Sequence, residues 1–257
     1  MARRPLVVGN WKMNLDYVEA IHLVQQLGVL MRGQSLDNVE AAIAPPFVDI
    51  RSVSSVIEAD RLPLAVAGQH AHHLESGAFT GEVSVSMLKR LGVRYVLVGH
   101  SERRVHFAMS DDVVRDTAVA VANAGLTAVI CCGETMEQRS EGLTNHVIHE
   151  QIVAALSKID PKNHERIVVA YEPLWAIGSG VTATDGNITA VVQVIRDSFP
   201  SSWNAKPRVL YGGSVNAENC GALVEGSPID GFLVGGASLK AEEFVAIIAK
   251  THACYRK

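Results

Sequence analysis

The sequence predicts an α/β protein of the (β/α)8 barrel class, one closed parallel sheet of eight strands ringed by helices. Three observations carry that expectation. Short apolar runs recur eight times, at roughly the thirty-residue spacing of a βαβ unit. The runs are continuous rather than alternating, as in strands buried on both faces and therefore parallel. A chain of 257 residues, 48% of them hydrophobic, is an ordinary length for one such barrel. A doubly wound open sheet is the alternative that the pattern leaves open. No long Pro-, Ser- or Gly-rich linker interrupts the series, so residues 1–257 are read as one domain.

Taken in order, Leu6-Val7-Val8 runs into Gly9-Asn10-Trp11-Lys12-Met13-Asn14. A helix opened by Asp16 follows, with Glu19 three residues on as its capping-box partner and Val18, Ile21, Leu27 and Leu30 expected on its apolar face. Ala41-Ala42-Ile43-Ala44 ends at Pro45-Pro46, and Leu64-Ala65-Val66-Ala67 ends at Gly68-Gln69-His70. Tyr95-Val96-Leu97-Val98 runs into Gly99-His100-Ser101-Glu102. Ser110 is placed to cap a helix whose first turn holds Asp111 and Asp112, where acids suit the positive end of the dipole, and Gly125 closes it. Ala128-Val129-Ile130 leads to Cys131-Cys132-Gly133-Glu134, and Ile167-Val168-Val169 leads to Glu172. Val209-Leu210 precedes Tyr211-Gly212-Gly213-Ser214, and Gly231-Phe232-Leu233-Val234 precedes Gly235-Gly236-Ala237-Ser238.

Composition excludes several roles. A formal net charge of -4 without a basic run argues against a nucleic-acid surface. The basic opening Arg3-Arg4 is followed by too short an apolar stretch for a signal-peptide core. No run approaches the ~20 apolar residues that cross a bilayer. Cys131, Cys132, Cys220 and Cys254 show no C-x-x-C spacing, so they are read as free thiols in a reducing cytoplasm, and no metal site is expected.

The polar residues fall in one kind of place. Asn10, Lys12, His100, Glu102, Glu172 and the glycine-rich turns all follow the C-terminal ends of strands, which converge at one mouth of a parallel barrel. Asn10 and Lys12 are two apart, as are His100 and Glu102, and residues i and i+2 share a strand face; each pair is expected to point inward from its strand. Glycines after the last two strands let backbone N–H groups approach an anion. Beyond Glu172, the segment Pro173-Leu174-Trp175-Ala176-Ile177-Gly178-Ser179-Gly180 is too apolar for an ordinary surface loop. An apolar tip stiffened by Pro173 at one end, with Gly178 and Gly180 free to take positive φ at the other, suits a lid over residues 173–183 that expels water.

A carboxylate opposite a neutral imidazole and a cation suits proton abstraction beside a carbonyl. A placed general base is worth ~10²–10⁴ in rate, and one donor at a developing oxyanion about 2.7–4 kcal/mol.

The motifs W-K-M-N (11–14), G-A-F-T-G-E (77–82), G-H-S-E-R-R (99–104), A-Y-E-P-L-W-A-I-G-S-G (170–180), Y-G-G-S-V (211–215) and V-G-G-A-S-L (234–239) resemble those of the triosephosphate isomerase family, in the same order over essentially the whole chain. The family is a well-known case of a carboxylate base paired with an un-ionised imidazole. The resemblance implies a TIM barrel that interconverts dihydroxyacetone phosphate and D-glyceraldehyde 3-phosphate without a cofactor. It implies Glu172 as base, His100 as neutral electrophile, Lys12 as fixed positive charge, Asn10 as a donor to substrate and Glu102 as the residue that orients the site. It further implies phosphate-binding N–H groups at Gly178, Ser214, Gly235 and Gly236, a lid including Pro173, Trp175, Ile177, Gly178 and Gly180 latched by Tyr211, and a homodimer whose loop Ser76–Glu82, with Phe79 and Thr80, reaches the partner's site.

Three positions depart from the family pattern: Val181 stands where a lysine usually ends the lid, His70 where an asparagine or aspartate often follows Gln69, and Met109 where a glutamate is usual. The last is expected to remove a supporting hydrogen bond. Three other readings stay open from sequence. A flavin-binding barrel would be yellow, a Schiff-base aldolase using Lys12 would be trapped by borohydride, and a silent barrel would lack turnover.

Overall fold

The computed structural model describes residues 3–176, 185–204 and 206–255. Eight strands close into a barrel in sequence order: β1 (Leu6–Asn10), β2 (Glu40–Ala44), β3 (Ala65–Gly68), β4 (Tyr95–Val98), β5 (Thr127–Cys132), β6 (Ile167–Tyr171), β7 (Arg208–Tyr211) and β8 (Gly231–Val234). All neighbouring pairs are parallel, and closure is made by β1 against β8, with Leu6 opposite Gly231 and Gly9 opposite Val234. Gly231 has φ +132, and a Cβ there would meet the Leu6 carbonyl oxygen at 2.0 Å, so the seam requires glycine.

Period-two alternation sorts the strand residues into two cores. Leu6, Val8, Ala42, Ala44, Ala67, Leu97, Val129, Val168, Ala170, Leu210 and Leu233 fill the barrel interior. Their neighbours Val7, Ile43, Val96, Ile130, Val169 and Val209 point outward into the layer shared with the helices. Burial on both faces is what makes these runs continuous in sequence.

The helical layer begins with α1 (Tyr17–Met31), whose capping box at Asp16 and Glu19 is formed as expected. Its buried face is Ala20, Leu23, Val24, Leu27 and Met31, however, and not the expected stripe: Val18 is exposed and Ile21 and Leu30 are only partly covered. Leu27 alone is common to the two stripes; Val18, next to the cap, faces solvent. Then come α2 (Ile50–Ala59), α3 (Val85–Arg90), α4 (Ser101–His106) and α5 (Asp111–Asn123), the last capped by the Ser110 side chain. The remaining helices are α6 (Met136–Ser140), α7 (Thr144–Leu156), α8 (Asp185–Asp197), α9 (Cys220–Gly226) and α10 (Ala241–Cys254). Cys131, Cys132 and Cys220 are buried free thiols and Cys254 is half-buried.

Candidate active site at the C-terminal mouth of the barrel

At the C-terminal ends of the strands, Asn10, Lys12, His100 and Glu172 line a cavity of about 270 Å³ together with Gly212–Val215 and Gly235–Ala237. A larger groove, about 670 Å³, lies on the outer helical layer along α1 and the start of α10; it has none of these converging groups.

The way these groups arrive differs from the expected strand pairs. Only Asn10 sits on a strand. Lys12 lies beyond the end of β1 in the left-handed region, with φ +53, a conformation that a non-glycine residue adopts only when its surroundings hold it. Three contacts hold it here. Its N–H donates to Asn10 Oδ1 at 3.0 Å, Gln69 Nε2 donates to its carbonyl at 2.7 Å, and its ammonium lies 2.6 Å from Glu102 Oε1. His100 and Glu102 are likewise past β4. After Gly99, also left-handed at φ +73, His100 is the N-cap of α4 and Glu102 stands in its first turn. Residues i and i+2 share a face only while the strand lasts, and both pairs outrun it.

The His100 ring makes two contacts that fix its tautomer. Nδ1 accepts from the Glu102 N–H at 3.3 Å, so in the neutral ring the proton resides on Nε2, which faces Glu172 Oε1 at 3.0 Å. The other Glu172 oxygen accepts from the Ser101 N–H at 3.3 Å. Both side chains are almost wholly buried, at 5% and 3% exposure. Burial raises the Glu172 pKa, but the imidazole beside it and the hydrogen bonds from His100 and Ser101 outweigh burial and hold it below the usual carboxylate value. For His100 burial acts downward, and the Glu172 carboxylate outweighs it and raises the pKa.

The absence of side chains is part of this geometry. A Cβ at Gly212 would come within 2.8 Å of Glu172 Cγ, and one at Gly133 within 1.9 Å of the Glu172 carbonyl oxygen. A Cβ at Gly213 would strike the Tyr211 hydroxyl at 2.1 Å; Tyr211 is fully buried. After β8, Gly236–Leu239 forms one short 3-10 turn, and Gly235 and Gly236 face the cavity with no helix beginning behind them until α10. Ser214 lines the same cavity.

The start of the expected lid is anchored. Pro173 is buried, and the Trp175 indole Nε1 donates to Glu134 Oε1 at 2.9 Å, an oxygen that also accepts from the Tyr171 hydroxyl at 3.2 Å. The Arg139 guanidinium stacks over the Trp175 ring at 4.2 Å. Ile177, Gly178, Ser179, Gly180 and Val181 lie outside the described residues. Glu134, fully buried, escaped the sequence reading. It ends the turn after β5 just as Glu172 follows β6, and the positional rule that singled out Glu172 applied equally to it. Gln69 and the Ser101 N–H also escaped, the second because a backbone donor leaves no trace in residue type.

Phe79 is 43% exposed and Thr80 exposed, on a loop where the His72 ring packs against Phe79 at a tilt of 33°. His70 is buried, with Nε2 3.1 Å from Glu82 Oε2. Met109 is buried beside Arg103, whose Nε has no hydrogen-bond partner. Among the described residues, no group of three or more His, Cys, Asp or Glu side chains is arranged to hold a metal ion, and no helix is long and apolar enough to cross a membrane.

Comparison with known proteins gives a concordant result. Residues 5–251 match the family described as triosephosphate isomerase. Proteins named triosephosphate isomerase from Cutibacterium acnes and Saccharopolyspora erythraea are each 45% identical to this chain, covering 96% and 97% of it and 98% and 97% of their own lengths. One from Rhodococcus jostii is 44% identical, over 97% of each chain.

Proposed function

This chain belongs to the triosephosphate isomerase family, and from that membership we propose that it interconverts dihydroxyacetone phosphate and D-glyceraldehyde 3-phosphate, without a cofactor, by proton transfer through an enediolate. The observation that carries the reading is convergence. A buried carboxylate from β6, a tautomer-fixed imidazole from β4 and an ammonium from β1 meet in one cavity with the glycine segments that follow β7 and β8.

Each group has a role set by its contacts. Glu172 leaves His100 and Ser101 to take the proton from one carbon and return it to the next. His100 then donates from Nε2 to the substrate oxygens, because its Nδ1 is already satisfied by the Glu102 N–H. The Lys12 ammonium stabilises the developing charge, and Glu102 holds it over the cavity. With Asn10 Oδ1 taken by the Lys12 N–H, the Asn10 amide is left as a donor toward substrate. The N–H groups of Ser214, Gly235 and Gly236 bind phosphate, joined by Gly178, and the lid 173–183 excludes water, with Tyr211 as its latch. Phosphate binding remote from the reacting carbons acts on the transition state only through that closure.

A coupled assay with glyceraldehyde 3-phosphate tests the activity, and Glu172→Asp tests the base. Drawing the carboxylate back by one methylene, about 1.5 Å, is expected to lower kcat by ~10²-fold or more while the fold persists, since a 1 Å misplacement costs on that order. Unchanged kcat would remove Glu172 from this role.

The surface supports a homodimer. Met13 on the loop after β1, Val48 in the short 3-10 helix after β2, Phe79 on the loop after β3 and Phe107 at the C-terminal end of α4 are exposed at 94%, 82%, 43% and 66%, so exposed apolar side chains follow four neighbouring strands. Phe79→Glu is expected to shift sedimentation toward the monomer; a variant that sediments with the wild type would place the interface elsewhere. The free thiols suit a cytoplasmic setting.

A further inference from the structure

His100 is only as well aimed as the turn that carries it, and that turn has little rigidity of its own. Gly99 is left-handed, and α4 is six residues long, too short to be stable without outside support. One side chain ties both to the rest of the fold. Arg104 Nε donates to the Gly99 carbonyl at 2.9 Å, and its Nη1 lies 2.6 Å from Asp111 Oδ1 at the start of α5. The guanidinium is mostly buried, its side chain 18% exposed. Val114 of α5 closes on the same turn: a Cβ at Gly99 would meet it at 2.7 Å. Arg104, Gly99, Ser101, Cys131 and Leu174 also line a cavity of about 190 Å³ on the far side of Glu172. The guanidinium thus stands behind the pair that faces substrate without touching the mouth.

We propose that Arg104 is a positioning residue for the isomerisation: by bridging the Gly99 carbonyl to Asp111 it fixes the turn that aims the His100 ring and the Ser101 N–H at Glu172. The proposal rests on the reading of His100 and Glu172 as the reacting pair. Because the segments assigned to phosphate follow β7 and β8, they do not depend on the turn, and loss of the bridge falls on kcat rather than KM. A loosened turn also weakens the Glu102 N–H contact with His100 Nδ1, which is what disfavours the imidazolium.

The test compares Arg104→Met, Arg104→Lys and Asp111→Asn with Arg115→Met, which removes an ion pair on the same helix away from the site. Arg104→Met is expected to lower kcat about tenfold, the loss expected of a displacement well under 1 Å, with KM within about twofold. Its acid limb in the kcat profile moves to higher pH. Asp111→Asn loses less, Arg104→Lys falls between, and Arg115→Met keeps wild-type values. The His100 ring 15N resonances, recorded without substrate, shift in Arg104→Met, Arg104→Lys and Asp111→Asn and not in Arg115→Met. Wild-type kcat, acid limb and ring resonances in Arg104→Lys and Asp111→Asn would overturn the proposal, whatever happens to Tm, and those two variants decide it if Arg104→Met does not fold. A wild-type protein that turns over no triose phosphate would instead refute the proposed function, and the ring resonances would still decide the positioning role.

Discussion

Gly212→Ala is the smallest change that reaches the proposed base without touching it chemically. The backbone at Gly212 has no positive φ, so alanine is conformationally acceptable there, and the consequence lies in space. The new Cβ would stand 2.8 Å from Glu172 Cγ, 3.4 Å from the Tyr171 carbonyl oxygen and 3.6 Å from Glu172 Oε1. The Tyr171 oxygen is fixed by the Gly212 N–H at 2.8 Å, which leaves the Glu172 side chain to give way. An ordinary carbon–carbon contact is about 3.5–4.0 Å, so Cγ has to retreat by roughly 0.7–1.2 Å. Displacements of that size cost up to ~10²-fold in rate, and the extra methyl destabilises the fold by about 1–3 kcal/mol as overpacking. The expected result is a 10–100-fold lower kcat (order of magnitude), KM changed by much less, and a folded protein with a modestly lower Tm. Steady-state kinetics in both directions beside thermal unfolding separates the two effects. A folded Gly212→Ala protein with kcat within about twofold of the wild type would refute the reasoning, because it would show that the observed carboxylate position does not govern the chemistry.

Two further outcomes follow from groups around the site. Trp175→Phe removes the 2.9 Å indole donor to Glu134 while keeping the ring under Arg139, and a lost hydrogen bond to a buried carboxylate costs about 1.5–3 kcal/mol; a lower unfolding midpoint is expected together with lower kcat from a less well anchored start of the proposed lid, and an unaltered kcat would release Glu134 from any part in lid motion. His70 is held by burial and by Arg103 at a pKa of about 4, below the histidine value of 6.5, despite the Glu82 carboxylate acting upward. The unfolded chain therefore binds the proton first, and stability on this account is complete above pH 6.5 and declines as pH falls toward 4. The full contribution is at most about 3 kcal/mol. Tm measured from pH 4 to 7 should fall less steeply for His70→Asn than for the wild type; parallel curves would dismiss the effect.

The barrel was legible because each strand is buried on two faces, and such strands write themselves as unbroken apolar runs such as Tyr95–Val98 and Ile167–Val169. The capping box at Asp16 was legible too, since it depends on two side chains at fixed spacing. The buried stripe of α1 was not: in Val18-Glu19-Ala20-Ile21 three of four residues are apolar, and only packing against the barrel decides that Ala20 goes in and Val18 stays out. The residues at the mouth could be named from their place after the strands, but not the way they get there. Lys12 at φ +53 and Gly99 at φ +73 are backbone departures, and a lysine gives no sign that Gln69 and Asn10 will hold it left-handed. Glu134 follows its strand as Glu172 does, but the apolar segment that marks a carboxylate in sequence comes after Glu172.

The Glu172–His100 contact has a consequence for when the base is strong. While the two are 3.0 Å apart, the imidazole and its hydrogen bond keep the carboxylate acidic against the opposing effect of burial, and the carboxylate keeps the imidazole more basic than burial alone would leave it. In the proposed mechanism substrate separates the pair. The lowering contribution from His100 then leaves Glu172, burial remains, and the carboxylate becomes a stronger base in a cavity from which water is being expelled. His100 loses the group that raised its pKa, while the Glu102 N–H still occupies Nδ1, so the ring stays neutral and donates from Nε2. One displacement therefore strengthens the base and preserves the uncharged donor, and neither change occurs until the substrate is between them. An isolated carboxylate in the same pocket would carry its raised pKa at all times; the resting contact with His100 holds it lower until substrate parts the two.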